Sequence, residues 1–241
     1  MEIIYEDKNI IAVNKKSGIS VYRSENDSLK TKSLIDDLIR KSPALKEVGL
    51  SPRYGIIHRL DKNTSGVVLI AKNNSALEFI QKQFAGRNIN KKYLTLVSKK
   101  VKNQEGIIHT FIGRNPQNRL LQQAFELNSQ NAKKKGLREA VSNWRVVNFF
   151  KNFTLIEISP KTGRRHQIRV HMKYIGHPIA GDKKYGFKDQ MPKGLKRIFL
   201  HAYSIEFSLP NKKRKKIIAD LPKDLKSVIK NLSCEAKKIS L

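Results

Sequence analysis

Nine consecutive residues, His58-Arg59-Leu60-Asp61-Lys62-Asn63-Thr64-Ser65-Gly66, set a carboxylate two positions after an arginine, in a polar loop that opens onto the apolar run Val67-Val68-Leu69-Ile70. An aspartate with an ordinary pKa of about 3.9 is already an anion at neutral pH. As a nucleophile it therefore needs no activating base, only positioning and a nearby cation to keep it charged when buried. The chain around it holds 49 Lys+Arg against 20 Asp+Glu, a formal net charge of +29. That excess favours a polyanionic partner, nucleic acid before an anionic membrane surface, although ribosomal-protein-like chains and Lys- and Asn-rich genomes also produce it. Taken alone, an Asp beside an Arg in a loop is usually a turn or cap residue. In this basic background Asp61 reads as a nucleophile held against RNA.

Other chemistries find few residues. The single cysteine, Cys234, excludes a disulfide framework within the chain and a Cys-based zinc site, and points to a reducing compartment. His166, His171 and His177 do not have metal-ligand spacing: positions five apart on a helix lie about 140° around the axis, whereas ligand pairs sit three or four apart. His166 and His171 are expected to be hydrogen-bonding structural residues. With neither a Walker sequence nor a G-x-G-x-x-G after a strand, there is no cradle for a nucleotide cofactor. Neither metal nor cofactor is expected. The N-terminus lacks a basic segment followed by a long apolar run, and no stretch of about 18 apolar residues occurs, so the chain is expected to be cytoplasmic and soluble.

The elements that must hold Asp61 can be read from periodicity. Ile3-Ile4-Tyr5 and Ile10-Ile11-Ala12-Val13 flank a turn-prone Glu-Asp-Lys-Asn and predict a hairpin. Leu34, Ile35, Leu38 and Ile39 share a helical face ahead of Pro43. Gly66 to Ala71 reads as a strand, followed by a helix through Leu77, Ile80 and Phe84 that Gly86 closes as a C′ residue. Tyr93 to Val97, Trp144 to Val147 and Phe153 to Ile158 are β-prone. Arg114 to Lys135, polar and basic, predicts an exposed insertion or long hairpin. His166 to Ile175 predicts a short helix closed by Gly176, Phe199 to Leu209 a last strand, and Leu221, Leu225, Val228 and Ile229 an amphipathic stretch within a basic extension over 210–241. Intermingled strands and helices without a βαβ rhythm indicate an α+β chain, one domain of 1–241 with a mixed, mainly antiparallel sheet flanked by helices.

The string at 58–66 resembles the signature His-Arg-Leu-Asp-x-x-Thr-Ser-Gly of the RluA-type pseudouridine synthase family. Residues 162–171, Thr-Gly-Arg-Arg-His-Gln-Ile-Arg-Val-His, are similar to the family's Gly-Arg-x-His-Gln-Ile-Arg-x-His segment. Asn14-Lys15-x-x-Gly18, Lys92-Tyr93, Gly176-His177-Pro178-Ile179-x-Gly181-Asp182-x-x-Tyr185-Gly186 and Leu200-His201-Ala202 follow in the family's order, so the resemblance covers roughly residues 1–209. It implies an isomerase that breaks the bond from ribose to N1 of a uridine in RNA and remakes it to carbon 5, without redox change or outside energy. It also implies Asp61 as nucleophile, at ribose carbon 1′, through a glycal, or on the uracil ring; Arg169 as its cation; and Tyr93 stacked on the base. Arg59 would enter the space left by a flipped uridine and Leu200 pack beside its ring. Lys15, Lys92, Arg164, Arg165 and the 212–216 cluster would hold phosphates, with His166 beside them. The implied partner is structured RNA, tRNA or rRNA, with neither membrane nor DNA, and the protein is expected to act as a monomer.

Two departures bear on target choice. Lys16 stands where the family commonly has proline, which alters a loop and no reactive group. Many relatives carry a small RNA-binding domain ahead of the catalytic one, whereas here the match begins within the first few residues, so recognition is expected from 22–50, 114–135 and the basic tail. The rival class is a non-catalytic RNA-binding or ribosome-assembly protein that keeps the fold; a DNA-binding regulator would lack any recognisable helix-turn-helix or zinc-finger pattern here.

Overall fold

A computed structural model of the chain describes residues 1–23, 32–130, 132, 134, 136–187 and 191–238, the last four of these by backbone alone. It forms two compact units: Met1–Lys91 with His201–Asp220, and Lys92–Leu200 with Leu221–Leu241. Parts of the segments expected to choose the RNA, 24–31, 131, 133, 135 and 239–241, lie outside the described residues.

In the first unit, β1 (Glu2–Glu6) and β2 (Ile10–Lys15) form the expected hairpin. Then β3 (Ser65–Ala71) runs antiparallel to β2 along its whole length. Every residue of β3 is buried, which is why its sequence is a continuous apolar run and not an alternation: it is a central strand covered on both faces. Helix α1 (Leu34–Lys41) buries Leu34, Ile35 and Leu38, and a 3₁₀ turn, Pro43–Glu47, follows where the proline stops it. Helix α2 (Asn74–Ala85) starts at Asn73, whose side chain accepts from the Ala76 N–H, and packs against β3. Its end differs from expectation. Gly86 has φ −75°, and the left-handed position falls on Arg87 at φ 59°, whose neighbour Asn88 donates back to the Gln83 carbonyl.

The second unit is an antiparallel meander of β4 (Asn90–Ser98, from Lys92 on), β5 (Glu105–Arg114), β6 (Gln122–Phe125), β7 (Arg138–Phe149) and β8 (Phe153–Pro160). They lie in the order β4-β8-β7-β5-β6. The exposed hairpin expected over 114–135 has a return strand, β6, paired to the end of β5. Helix α3 (Gln167–Tyr174) ends in Gly176 at φ 81°, with His177 N–H donating to the Met172 carbonyl and Gly176 N–H to that of Lys173. Here a glycine does take the left-handed turn that a side chain would strain.

Strand β9 (Leu200–Ser208) is not the last. After a turn, the basic cluster itself becomes β10 (Arg214–Ile218), antiparallel to β9, with Ile217 buried. The expected amphipathic stretch within 210–241 is a helix. Helix α4 (Lys223–Lys238) buries Leu225, Val228 and Leu232 against Leu96, Phe150 and Phe199 of the second unit. Charge density masked the strand, whose apolar positions are few, whereas the amphipathic stretch through Leu221, Leu225, Val228 and Ile229 already marked the helix. No helix among the described residues is long and apolar enough to cross a membrane.

Candidate active site

The loop at 58–66 belongs to the first unit, and most of its residues serve the architecture. The His58 Nε2 accepts the Leu69 N–H at 3.1 Å, and its ring stacks on Phe84 at 5.0 Å. Burial, and then the charge of Lys91, press its pKa down to about 3, so the ring is a neutral acceptor. Leu60 and Thr64 are buried, and the Thr64 N–H closes a turn on the Asp61 carbonyl at 3.0 Å. Ser65 Oγ lies 2.9 Å from His201 Nδ1, and His201 Nε2 lies 2.8 Å from the Ala219 carbonyl. That partner set makes Nε2 the donor and Nδ1 the acceptor, so the imidazole braces the loop to β9 and to the segment after β10.

Gly66, at φ 120°, is where β3 meets β9 in parallel; a Cβ there would stand 2.3 Å from the Ala202 carbonyl oxygen. No other residue type fits so close a backbone approach. Asp61 is half-buried at the turn, and Arg59, Lys62 and Asn63 are exposed.

Lys15 anchors the loop from below. It is 1% exposed, and its Nζ donates to the carbonyls of Lys16, Ile19 and Lys62 at 3.0, 2.8 and 3.1 Å. Where the sequence suggested a phosphate contact, the ammonium is engaged with carbonyls beneath the loop. Ser17 Oγ adds a bond to the Asn63 carbonyl at 2.7 Å. Arg59 lies on Tyr22, its guanidinium 4.9 Å from the ring centre and one N–H donating to the hydroxyl at 2.7 Å, while Arg53 stands 5.1 Å from the same ring.

Tyr93 and Arg169 belong to the second unit. Tyr93, half-buried on β4 opposite Ile158, packs on the core cluster that contains Val97, Ile158 and Ile168. Arg169 leaves α3 and forms a fork with Asp182: Nε to Oδ2 at 2.7 Å and Nη2 to Oδ1 at 2.8 Å, with side-chain exposures of 12% and 0%. Asp182 also accepts the N–H groups of Lys184 and Tyr185, and the Tyr185 ring lies 4.9 Å from the Arg169 guanidinium. Asp182 and Tyr185 both sit in the matched string 176–186, but a partnership across 13 positions leaves no local pattern to read.

The same unit explains the rest of 162–171. Gln167 Oε1 accepts from Thr162 Oγ1 and the Arg164 N–H, and its Nε2 donates to the Val141 carbonyl and Ser142 Oγ. All the hydrogen-bonding capacity of a buried amide is thus used. His171 is fully buried, with Nδ1 2.9 Å from Ser142 Oγ and Nε2 3.2 Å from Thr110 Oγ1; burial, then the charge of His109, lowers its pKa to about 4. His166 Nδ1 meets the Tyr185 hydroxyl at 2.8 Å, and His177 Nδ1 the Ser98 carbonyl. The expected hydrogen-bonding roles of His166 and His171 are thus found.

Among the phosphate candidates, Lys92 pairs with Glu157 at 2.9 Å, and Arg164 Nε donates to the Glu139 carbonyl at 2.8 Å. Arg165 is exposed, as are Lys212, Lys213, Arg214 and Lys216. Leu200, 3% exposed, belongs to the core of the second unit.

A family model described as RNA pseudouridylate synthase matches residues 9–174. A Helicobacter pylori protein named as an uncharacterized RNA pseudouridine synthase is 35% identical over 233 residues, covering 96% of this chain and 70% of its own. The ribosomal large subunit pseudouridine synthase D of Borreliella burgdorferi is 37% identical over 223 residues, covering 92% and 65%. In structure, human RNA Pseudouridylate Synthase Domain Containing 1 superposes with a TM-score of 0.75 over 94% of this chain and 86% of its own, at 23% identity. That last likeness speaks for the fold.

Proposed function

Since the chain belongs to the RNA pseudouridylate synthase family, and is thus an isomerase that converts uridine in RNA to pseudouridine, we propose that Asp61 is its nucleophile and large-subunit ribosomal RNA its substrate. The observation that carries the first part is the division of labour within 58–66. His58, Leu60, Thr64, Ser65 and Gly66 are consumed by packing, hydrogen bonds and a strand crossing, and the acid they present is left half-exposed at the tip of the turn. The second part rests on relatives named ribosomal large subunit pseudouridine synthases D and C.

In the proposed reaction the ribose C1′–N1 bond breaks and a C1′–C5 bond forms. The proton leaves carbon 5, N1 gains one, and atoms balance without oxidant or cofactor. Asp61 holds the detached fragment covalently or draws out a glycal. The uridine first leaves its stack, at a cost of a few kcal/mol, and Arg59, now lying on Tyr22, enters the gap. Tyr93 stacks on the base and Arg169 is the accompanying cation. The protein works as a monomer in the cytoplasm, without metal.

The test is incubation of unmodified RNA with the protein and with Asp61→Asn. Wild type forms pseudouridine; the variant binds but forms none, and product from Asp61→Asn would eliminate the nucleophile.

A further inference from the structure

A groove of ≈ 430 Å³ opens in the second unit, lined among others by Arg114, Arg138, Arg164 and Arg165, with Gly136 and Gly163 on its rim. The strand registers explain why the arginines converge. Arg114 faces Gln122 across β5 and β6, and Ile112 faces Arg138 across β5 and β7. Cross-strand partners, and residues two apart, point to the same side of a sheet. That row therefore runs from Ala140 and Ile112, buried with Val170 of α3 and Tyr185, outward to Arg138 and Arg114. It turns from apolar to cationic where it leaves the cover of α3.

The opposite wall is 163–165, held by the Arg164 N–H on Gln167 and by Arg164 Nε on the Glu139 carbonyl. A Cβ built on Gly136 or Gly163 would meet nothing within 4 Å, so the backbone lies open to a ligand at both rims. Among the described residues, no acid lines the groove. Elsewhere arginines have acids: Arg23 with Asp36, Arg145 with Glu157, Arg197 with Asp224, Arg214 with Glu206. Among the described residues, Arg114, Arg138 and Arg165 have no carboxylate within ion-pair distance. Unneutralised guanidinium groups facing one groove repel one another, an arrangement suited to a polyanion whose oxygens accept bidentate N–H pairs.

We propose that this groove is a phosphodiester-binding track for substrate RNA, with Arg114 and Arg138 as its outer contacts. Its ligand rests on the RNA isomerase reading; its existence as an anion site does not.

The experiment compares the full chain with Arg114→Gln/Arg138→Gln, and with a control of equal charge loss on the same unit, Lys196→Gln/Lys230→Gln. The probe is an unmodified single-stranded RNA transcript, bound across a salt series. Each lost phosphate contact flattens the slope of log K against log salt by about 0.7, so the groove variant loses about 1.4 in slope. At 0.1 M salt the same term weakens binding about fivefold per contact, some 25-fold in all. Melting like wild type shows that the variant is folded. An unchanged slope in the groove variant overturns the proposal, as does an equal loss in the lysine control. Inorganic pyrophosphate competing as tightly as RNA would make this a small-anion site and overturn it too. Should wild type bind RNA with the expected slopes yet form no pseudouridine, the enzymatic reading fails while the track stands.

Discussion

Replacing Asp182 by Asn tests how Arg169 is held. The amide keeps an oxygen for the N–H groups of Lys184 and Tyr185, now 2.9 and 3.2 Å from Oδ1. It turns an NH₂ toward Arg169 Nε, where Oδ2 accepts at 2.7 Å. One charge-assisted bond disappears, worth about 1.5–3 kcal/mol, and a guanidinium only 12% exposed loses its fully buried counter-charge. Breaking a buried pair from one side costs about 3–5 kcal/mol, a large part of the roughly 5–15 kcal/mol that hold a domain together. Urea unfolding of wild type, Asp182→Asn, Arg169→Met and the double variant forms a cycle. The double variant is expected to be less destabilised than the sum of the singles by about 2 kcal/mol, and activity falls in Asp182→Asn even at temperatures where it is folded. Additivity within about 0.5 kcal/mol would refute the claim that Asp182 holds Arg169.

Two further outcomes follow from the geometry. His171 is neutral when folded, its pKa near 4 against the ordinary 6.5; the unfolded chain therefore binds the extra proton between these values. The stability it contributes is complete above pH 6.5 and is lost as pH falls from 6.5 toward 4, about 3 kcal/mol in all. His171→Gln should flatten denaturation midpoints plotted against pH in that window, and a wild-type slope in the variant would sink the assignment. Gly66→Ala forces a Cβ to 2.3 Å from the Ala202 carbonyl at φ 120°, and should cost about 2–4 kcal/mol in urea unfolding, together with activity through the displaced Asp61 turn; a loss under about 0.5 kcal/mol would show the strand crossing to be soft.

Elements with dense apolar periodicity could be read in advance: the β1–β2 hairpin, β3, and helices α1, α2 and α3 lie where the spacing put them. Strand β10 could not, because Lys212 to Lys216 offers one charge after another and the pairing that makes it a strand comes from β9, not from its own residues. In the same way Gly86 looked like a helix stop by composition, but the chain places its left-handed residue one position later, at Arg87. Among the candidate residues, residue types and motifs pointed to Asp61, Arg59 and Tyr93, while the parts of the fold around them did not show. Lys15 looked like one more surface cation, and only the fold reveals three carbonyls converging on it. Asp182 and His201 are silent for the same reason, since their partners, Arg169 and Ser65, are distant in sequence.

The sealed ammonium beneath the 61–63 turn gives the protein a built-in reporter. Amine-reactive reagents will label the many surface lysines within the first moments of exposure, whereas Lys15, 1% exposed, waits for the turn to lift. Its labelling rate is therefore a clock for opening of the 58–66 loop, and mass spectrometry of one N-terminal peptide, with and without RNA bound, would read how often that loop breathes and whether RNA stills it.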